Sequence, residues 1–396
     1  MLLKKIKILY LIDCLYNQGG SEMYLCRLLM NLDRERFLPI ICPLEPFDSL
    51  MIQKLRNLAI PLYPLGVNKI YSWQAIKKGL WLKKLIKQEK VDIVQTIHFS
   101  SDFLGIIAGR LAGVSAVISS RRDMGFMETS IHYRFFRYLL DRLTDRVLTN
   151  SNMMQQSIVA AEKIPAKKFI TIYNGVCLDE FKPMRNRSRK CLELGLRPDS
   201  HHIGIIANIR PIKGLEFFLL AAAETLNVFP NCEFVIIGGT ASLHESIAVY
   251  WQKLCGIIDS HGIKDKIIFL GPRQDIADVL TLLDVYVCSS ISEGFSNSII
   301  EAMACGVPVI ATKVGGNVEA VCENQTGFLV PPKDAKAIAV RLIQLLADRK
   351  RRRSMGNAAR QRVADCFNLP NVVREHEMLY ASLSNKKNKM PKKPTQ

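Results

Sequence analysis

The chain has no Cys-x-x-Cys pair, no Asp-x-Asp, no Walker-type phosphate loop and no G-x-G-x-x-G turn. Each absence removes a chemistry. The 11 cysteines (Cys14, Cys26, Cys42, Cys177, Cys191, Cys232, Cys255, Cys288, Cys305, Cys322 and Cys366) are scattered, with no histidine at finger spacing. That argues against a structural zinc or a disulfide framework and fits small core residues in a reducing compartment. Without Asp-x-Asp there is no obvious carboxylate clamp for a divalent cation, so neither metal nor other cofactor is expected. The missing glycine loops withdraw support for ATP γ-phosphate and dinucleotide chemistry.

Long apolar runs are also lacking. The longest, Phe103 to Ile118, is broken by Arg110 and falls short of the ~20 residues a spanning helix needs. The opening "MLLKKIKILYLIDCLY" stops at Asp13 with no small-residue cleavage site, so it is expected to be a first strand rather than a signal peptide. A cytoplasmic protein is expected.

Acidic residues are in short supply: 54 Lys and Arg face 36 Asp and Glu, a net charge of +18. The excess is uneven. Residues 1–185 carry 27 basic against 16 acidic groups (+11), residues 186–385 carry 22 against 20 (+2), and the closing "KKNKMPKKPTQ" adds +5. Such a charge suits an anionic membrane surface or an anionic substrate. No helix-turn-helix, finger, RNP-like motif or aromatic-interleaved basic run accompanies it, so nucleic acid is not an expected partner.

What is present is rhythm. The 396 residues suit two domains. Short β-branched runs alternate with stretches of helical period: "IKILYLI", a helix from Ser21, "LPIICPL", a helix from Asp48, then "VDIVQTI", "SAVISS", "DRVLTNS" and "KKFITIYNGV". This βαβα order implies a parallel sheet covered on both faces. The polar "FKPMRNRSRKCLELGLRP" interrupts the pattern, which places a domain boundary near residues 180–200. It restarts with "HIGIIANI", "CEFVIIGG", "KIIFLG", "DVYVCSS", "PVIAT" and "GFLVP". Two doubly wound α/β domains follow, with ligands expected at the carboxyl ends of the strands.

Three features stand at such ends. Gly19 and Gly20 in "NQGGSEMYL" can form a tight turn whose helix amides receive an anion. Arg210 and Lys213 in "ANIRPIKGLEFF" sit in a turn entering a helix near Leu215, where two cations suit a diphosphate. In "SEGFSNSIIEAMACGVPVI", Glu293 lies in a loop, Ser296 or Asn297 caps the next helix, and Glu301 falls within its first turns, with "KVGGNVEAV" one strand later. Two carboxylates suit vicinal hydroxyls and free helix amides suit a phosphate. A nucleotide sugar carries both groups.

Glu293, "GFSNSII", Glu301 and "AMACGVPVIATKVGGNVEAV" resemble the E-x7-E region of the retaining glycosyltransferases of family 4. "GGSE", "YNGVCLDEFKP", "RPIKG", "EFVIIGG", "IIFLGPRQDI" and "TGFLVPP" follow in that family's order, so the resemblance spans most of the chain. It implies a GT-B fold of two Rossmann-like domains facing across a cleft. Residues 1–185 would bind acceptor, 186–365 the nucleotide sugar, 366–384 would form a helix returning to the first domain, and 385–396 a basic disordered tail.

The resemblance assigns Glu301 to the ribose hydroxyls and Glu293 to those of the hexose, with Lys213 and a nearby arginine on the diphosphate. Amides around Phe295, Ser296, Gly315 and Gly316 would hold phosphate and sugar, and the loop from Gly271 through Arg273 to Asp275 would approach the base. Two positions depart from the family pattern. Asn208 stands where an arginine is usual, with Arg210 two residues on, and Arg121 stands where many members carry a histidine. Arg121 cannot accept a proton; it would neutralise the departing diphosphate or hold an acidic acceptor, or simply pair, with Arg122, to Asp123. His98 is the alternative polar contact, and Gly19, Gly20 and Glu22 form the acceptor-side loop.

The expected reaction is metal-independent transfer, with retention, of a hexose or N-acetylhexosamine from a nucleotide sugar, UDP by preference, to a lipid-linked glycan. The acceptor would belong to lipopolysaccharide, O-antigen, capsule or exopolysaccharide synthesis. The segments Tyr71 to Lys90 and His132 to Leu143, rich in aromatic and basic residues, would touch the inner leaflet. A soluble acceptor, a nucleotide-sugar epimerase of the same fold and an idle nucleotide-sugar binding module remain as alternatives.

Overall fold

The computed structural model describes residues 4–15, 19–45, 50–67, 70–122, 131–162, 164–183, 187–239 and 245–384. Asp123 and the basic tail from residue 385 lie outside them. The chain divides into two compact units, Met1–Gly175 with Leu369–Gln396, and Val176–Asn368.

The first unit holds a six-stranded, wholly parallel sheet built from β1 (Ile6–Ile12), β2 (Phe37–Pro43), β3 (Ile93–Ile97), β4 (Ala116–Arg121), β5 (Arg146–Thr149) and β6 (Phe169–Thr171). Their spatial order is β2-β1-β3-β4-β5-β6. From Ile8 to Ile12 every residue of β1 is fully buried, because helices cover both faces; that is why these strands read as unbroken apolar runs instead of alternating ones.

The second unit repeats the architecture with β7 (His201–Ile206), β8 (Cys232–Ile237), β9 (Ile267–Gly271), β10 (Val285–Cys288), β11 (Val309–Thr312) and β12 (Gly327–Val330), in the order β12-β11-β10-β7-β8-β9. Strand order reverses between β1 and β3 in the first sheet and between β7 and β10 in the second. At such switch points the following connections leave in opposite directions and open a crevice.

The polar stretch between the strand sets is not a bare linker. It contains a helix, Arg187–Glu193, whose Cys191 is buried and whose Lys190 meets Asp275 at 2.9 Å. The helix belongs to the second unit, so the division falls earlier, between Gly175 and Val176. The Val176 amide donates to the Phe367 carbonyl at 3.0 Å, and the next helix, Leu369–Ser384, groups with the first unit.

That last helix is held by a buried polar chain. The Tyr24 hydroxyl and His376 Nε2 lie 2.8 Å apart, Tyr380 donates to Gln95 Oε1 at 2.8 Å and accepts from Tyr10 at 3.1 Å, and Gln95 Nε2 donates to Ser120 Oγ at 2.8 Å. With the imidazole neutral, Nε2 accepts from Tyr24 and Nδ1 donates to Tyr380, 3.4 Å away. Burial, and after it the Arg122 guanidinium, push the His376 pKa down to about 3.

The folded value lies below that of an unfolded histidine, so this residue's stabilising contribution is full above pH ~6.5 and is lost as pH falls through that value toward 3. Linkage puts the loss between pH 7 and pH 5 at about 2 kcal/mol. Chemical denaturation of wild type and His376→Gln across that range should show the wild type losing the extra stability; parallel pH profiles would remove His376 from this role.

Candidate active site

In the second unit the chemistry gathers at the β7/β10 switch point. After β7 the chain passes Asn208 and Arg210 into a 3-10 turn, Pro211–Lys213, closed by Gly214 before the helix Leu215–Leu226. After β10 it passes Ser289, Ser290 and Glu293 into the helix Asn297–Ala304. The two loops are stitched together: the Ile291 amide donates to the Ile212 carbonyl at 2.8 Å, and Ser289 Oγ to the Lys213 carbonyl at 3.0 Å.

Lys213 Nζ lies 2.5 Å from Glu293 Oε1, which also accepts from Ser290 Oγ at 2.7 Å. Burial works against the Lys213 ammonium, but the neighbouring Glu293 carboxylate outweighs it and the pKa is raised. Lys213 is therefore a fixed cation at neutral pH, paired with Glu293. Arg210 is exposed three residues earlier, with no ion pair among the described residues. Asn208 is half-buried at the same strand end.

Ser296 is the N-cap of the helix that carries Asn297 and Glu301; its backbone is extended and its side chain makes no cap bond. The Ser296 hydroxyl instead meets Ser298 Oγ at 3.0 Å. Phe295 is buried against Phe367, with centroids 5.4 Å apart, and this anchors the loop just ahead of the helix. Glu301 is buried in the second turn of this helix.

The "VGG" turn closes over the Glu293 loop. The Gly316 amide donates to the Gly294 carbonyl at 2.8 Å. Gly315 has φ +45°, and a Cβ there would stand 1.6 Å from the Glu293 carbonyl oxygen. Only glycine permits this approach. Thr312 Oγ1 donates to the Ser290 carbonyl at 2.6 Å, so Ser289, Ser290 and Thr312 all position the site. Sequence reading passed over them, although Ser290 precedes Glu293 by the three residues typical of a local side-chain bond.

At β9, Gly271 is followed by Arg273, whose guanidinium grips Asp275 through bonds of 2.7 and 2.8 Å. The Arg273 hydrogen bonds hold the Asp275 carboxyl well below the usual range. This ordered loop is the one expected near the base.

In the first unit Gly19 is the N-cap of the helix Gly20–Asn31, and the Glu22 carboxylate folds back over it, 1.7 Å from where a Cβ would stand. That first turn thus carries a negative group of its own. His98 caps the helix Phe99–Ala112 with φ +74°, a conformation costing ~1–3 kcal/mol and found most often at functional sites. It stands near Asp13 and Glu22, whose carboxyls burial pushes up against the opposing effect of His98.

Arg121 requires a correction. It is buried and donates to both Asp141 and Glu162, within a charge network that includes Arg137 and Asp102. Two carboxylates already neutralise it, so its charge is engaged inside this network and not with Asp123. Arg122 is not paired to a carboxylate among the described residues: it donates to Asn174 and lies 3.3 Å from the centroid of the Tyr24 ring.

Comparison with known proteins accords with this geometry. Residues 18–180 match the family described as Glycosyltransferase Family 4, and residues 190–362 that described as Glycosyl transferases group 1. Over 362 residues, 89% of this chain and 91% of the relative, it is 27% identical to the UDP-Gal:alpha-D-GlcNAc-diphosphoundecaprenol alpha-1,3-galactosyltransferase of Escherichia coli. It is 35% identical over 191 residues, 47% of this chain and 41% of the relative, to D-inositol 3-phosphate glycosyltransferase of Mycobacteroides abscessus. Among solved structures, Anabaena HepE in complex with UDP superposes with a TM-score of 0.84 at 22% identity, over 95% of this chain and 100% of that one. That likeness speaks for the fold.

Gly315→Ala tests the closure of the turn. It should cost about 2 kcal/mol or more in chemical denaturation, from backbone strain and collision with the Glu293 carbonyl; wild-type stability would mean that the turn is looser than described.

Proposed function

The chain belongs to the glycosyltransferases that join a family 4 amino-terminal domain to a group 1 carboxy-terminal domain on a GT-B fold, and from that premise we propose that it transfers a hexose or N-acetylhexosamine from a UDP-sugar to a lipid-linked glycan, with retention and without a metal. The observation that carries the reading is the Lys213–Glu293 pair at the β7/β10 switch point. UDP is favoured because the E. coli relative uses UDP-Gal and Anabaena HepE was crystallised with UDP and with UDP-glucose.

Breaking the bond to the anomeric carbon leaves a nucleoside diphosphate anion and an oxocarbenium-like sugar. Stabilising that anion is the main catalytic demand. Lys213, once the diphosphate replaces its hold on Glu293, and the exposed Arg210 supply the charge; the amides opening the helix Asn297–Ala304 and those of Gly315 and Gly316 supply hydrogen bonds. Released from Lys213, Glu293 accepts from hexose hydroxyls, and Glu301 accepts from the ribose. The departing phosphate oxygen takes the proton of the incoming hydroxyl on the same face, so retention requires no protein base.

The acceptor side draws on a different observation. No helix among the described residues is long and apolar enough to cross a membrane. The first unit nonetheless exposes large apolar side chains on three helices packed in sequence, Trp73–Gln88, Phe99–Ala112 and Ile131–Leu143. Trp73 is 79% exposed, Leu80 60%, Leu111 57% and Phe135 58%. On the first helix Ala75, Leu82, Leu85 and Ile86 fill the core while Trp73, Ile76 and Leu80 form a second apolar stripe facing outward, beside Lys77, Lys84 and Lys87. An apolar band flanked by lysines suits the headgroup region of an anionic bilayer. The protein is read as cytoplasmic and peripheral on the inner leaflet, where a lipid-linked glycan is presented.

Lys213→Ala should lower kcat/KM by about 10²-fold in a UDP-release assay, with wild-type turnover unaffected by EDTA; a variant within a few-fold of wild type, or loss of turnover in EDTA, would break the respective part of the reading. In vesicle sedimentation at low salt, wild type should bind phosphatidylglycerol liposomes, and Trp73→Glu with Leu80→Glu should weaken binding by roughly tenfold or more. Equal binding by both proteins, or none by either, would end the membrane assignment.

A further inference from the structure

Tyr286 sits on β10, one of the two strands that flank the switch point of the second sheet, and is fully buried. A hydroxyl in that position costs free energy unless it is bonded, and phenylalanine would fill the same space without that demand. Both of its bonds are made. The Ile206 amide at the end of β7 donates to the phenol oxygen at 3.4 Å, and the phenol donates to Ser298 Oγ at 2.6 Å. Ser298, half-buried in the first turn of the helix Asn297–Ala304, meets Ser296 Oγ at 3.0 Å. Ser296 is buried at the N-cap, where a serine ordinarily accepts from a helix amide; this one does not. Three hydroxyls thus form a chain from the core of the sheet to the helix start, three residues past Glu293.

We propose that Tyr286 is a positioning residue for the diphosphate of the donor: through Ser298 it turns the Ser296 hydroxyl so that its proton is presented to a phosphate oxygen. The chain has a direction. An amide can only donate, so the phenol oxygen accepts from Ile206. Burial pushes the Tyr286 phenol well above its ordinary pKa, so it keeps its proton and gives it to Ser298. Ser298, accepting from the phenol, passes its own proton to Ser296 Oγ, and the Ser296 proton is then directed to a group outside the chain. A hydroxyl that already accepts from its neighbour is a stronger donor, and a phosphate oxygen, which accepts and carries charge, makes the stronger bond with it. The proposal rests on the reading of the second unit as the donor half and goes beyond it by assigning Tyr286 and Ser298, of which the first acts without touching the ligand.

Titration calorimetry with UDP on the full chain tests this, with the fold of each variant checked by chemical denaturation. Ser296→Ala should weaken UDP binding by about tenfold, as loss of a hydrogen bond to a charged group does, and Tyr286→Phe and Ser298→Ala by about fivefold each. In the Ser296→Ala background neither of the other two changes should have a further effect, because members of one hydrogen-bond chain do not act additively. Ser298→Thr keeps the hydroxyl and should restore wild-type affinity. A tyrosine with a merely structural role would weaken UDP by the same factor in both backgrounds. That result would overturn the proposal, as would wild-type affinity in any of the three single variants or a Ser298→Thr protein as weak as Ser298→Ala. Ser298→Ala leaves β10 untouched, so the comparison of backgrounds still decides if Tyr286→Phe does not fold. No UDP binding by the wild type would strike the donor reading itself, and the positioning role with it.

Discussion

The site depends on one ion pair. Lys213 enters from the loop after β7 and Glu293 from the loop after β10, the two strands that flank the switch point of the second sheet. A half-buried lysine would lose charge to desolvation if left alone; beside Glu293 it gains. The same contact sets the height of the Glu293 loop, over which Gly315 and Gly316 close. Cation, carboxylate and amide donors therefore occupy fixed positions before any ligand arrives.

Strand direction explains why this crowding is possible. In an all-parallel sheet every strand delivers its following loop, and the amino end of the next helix, to the same edge. That rule made the position of the candidate site legible before any coordinates: strand-like runs located the edge, and Lys213, Glu293 and Gly315 do lie just past the strands β7, β10 and β11. Local spacing also placed Ser296 at a helix start and Glu301 within the first turns. Partners far apart in sequence were not legible. Arg121 was expected to meet an anion because it stands where the resembled family carries a histidine, with Asp123 as the alternative partner; the partners it has, Asp141 and Glu162, arrive from two later helices. The Glu22 carboxylate lying over Gly19 was hidden for a related reason, since spacing reveals which residues are near in sequence and not which way a side chain folds.

The division of the chain illustrates a different limit. Composition marked the boundary where the sequence turns polar, yet the helix Arg187–Glu193 inside that stretch buries Cys191 and ties Lys190 to Asp275. Polar content is a guide to exposure, and a short helix with a single buried residue can be mostly exposed without being a linker. The return of Leu369–Ser384 to the first unit is secured by Tyr380 and His376, two buried polar residues whose bonds are all made within that unit. A half-satisfied network of this kind would be worse than an apolar core, so the neutral state of His376 is a condition of that packing.

The first unit has more apolar surface than its core can use, and the surplus is ordered. On the helix Trp73–Gln88, one stripe packs inward and the other, Trp73, Ile76 and Leu80, remains outside at helical spacing. Scattered exposed apolar residues are ordinary, but Trp73, Ile76 and Leu80 recur at helical spacing on one side of a single helix while Ala75, Leu82, Leu85 and Ile86 fill the core from the other, so the exposure here is ordered.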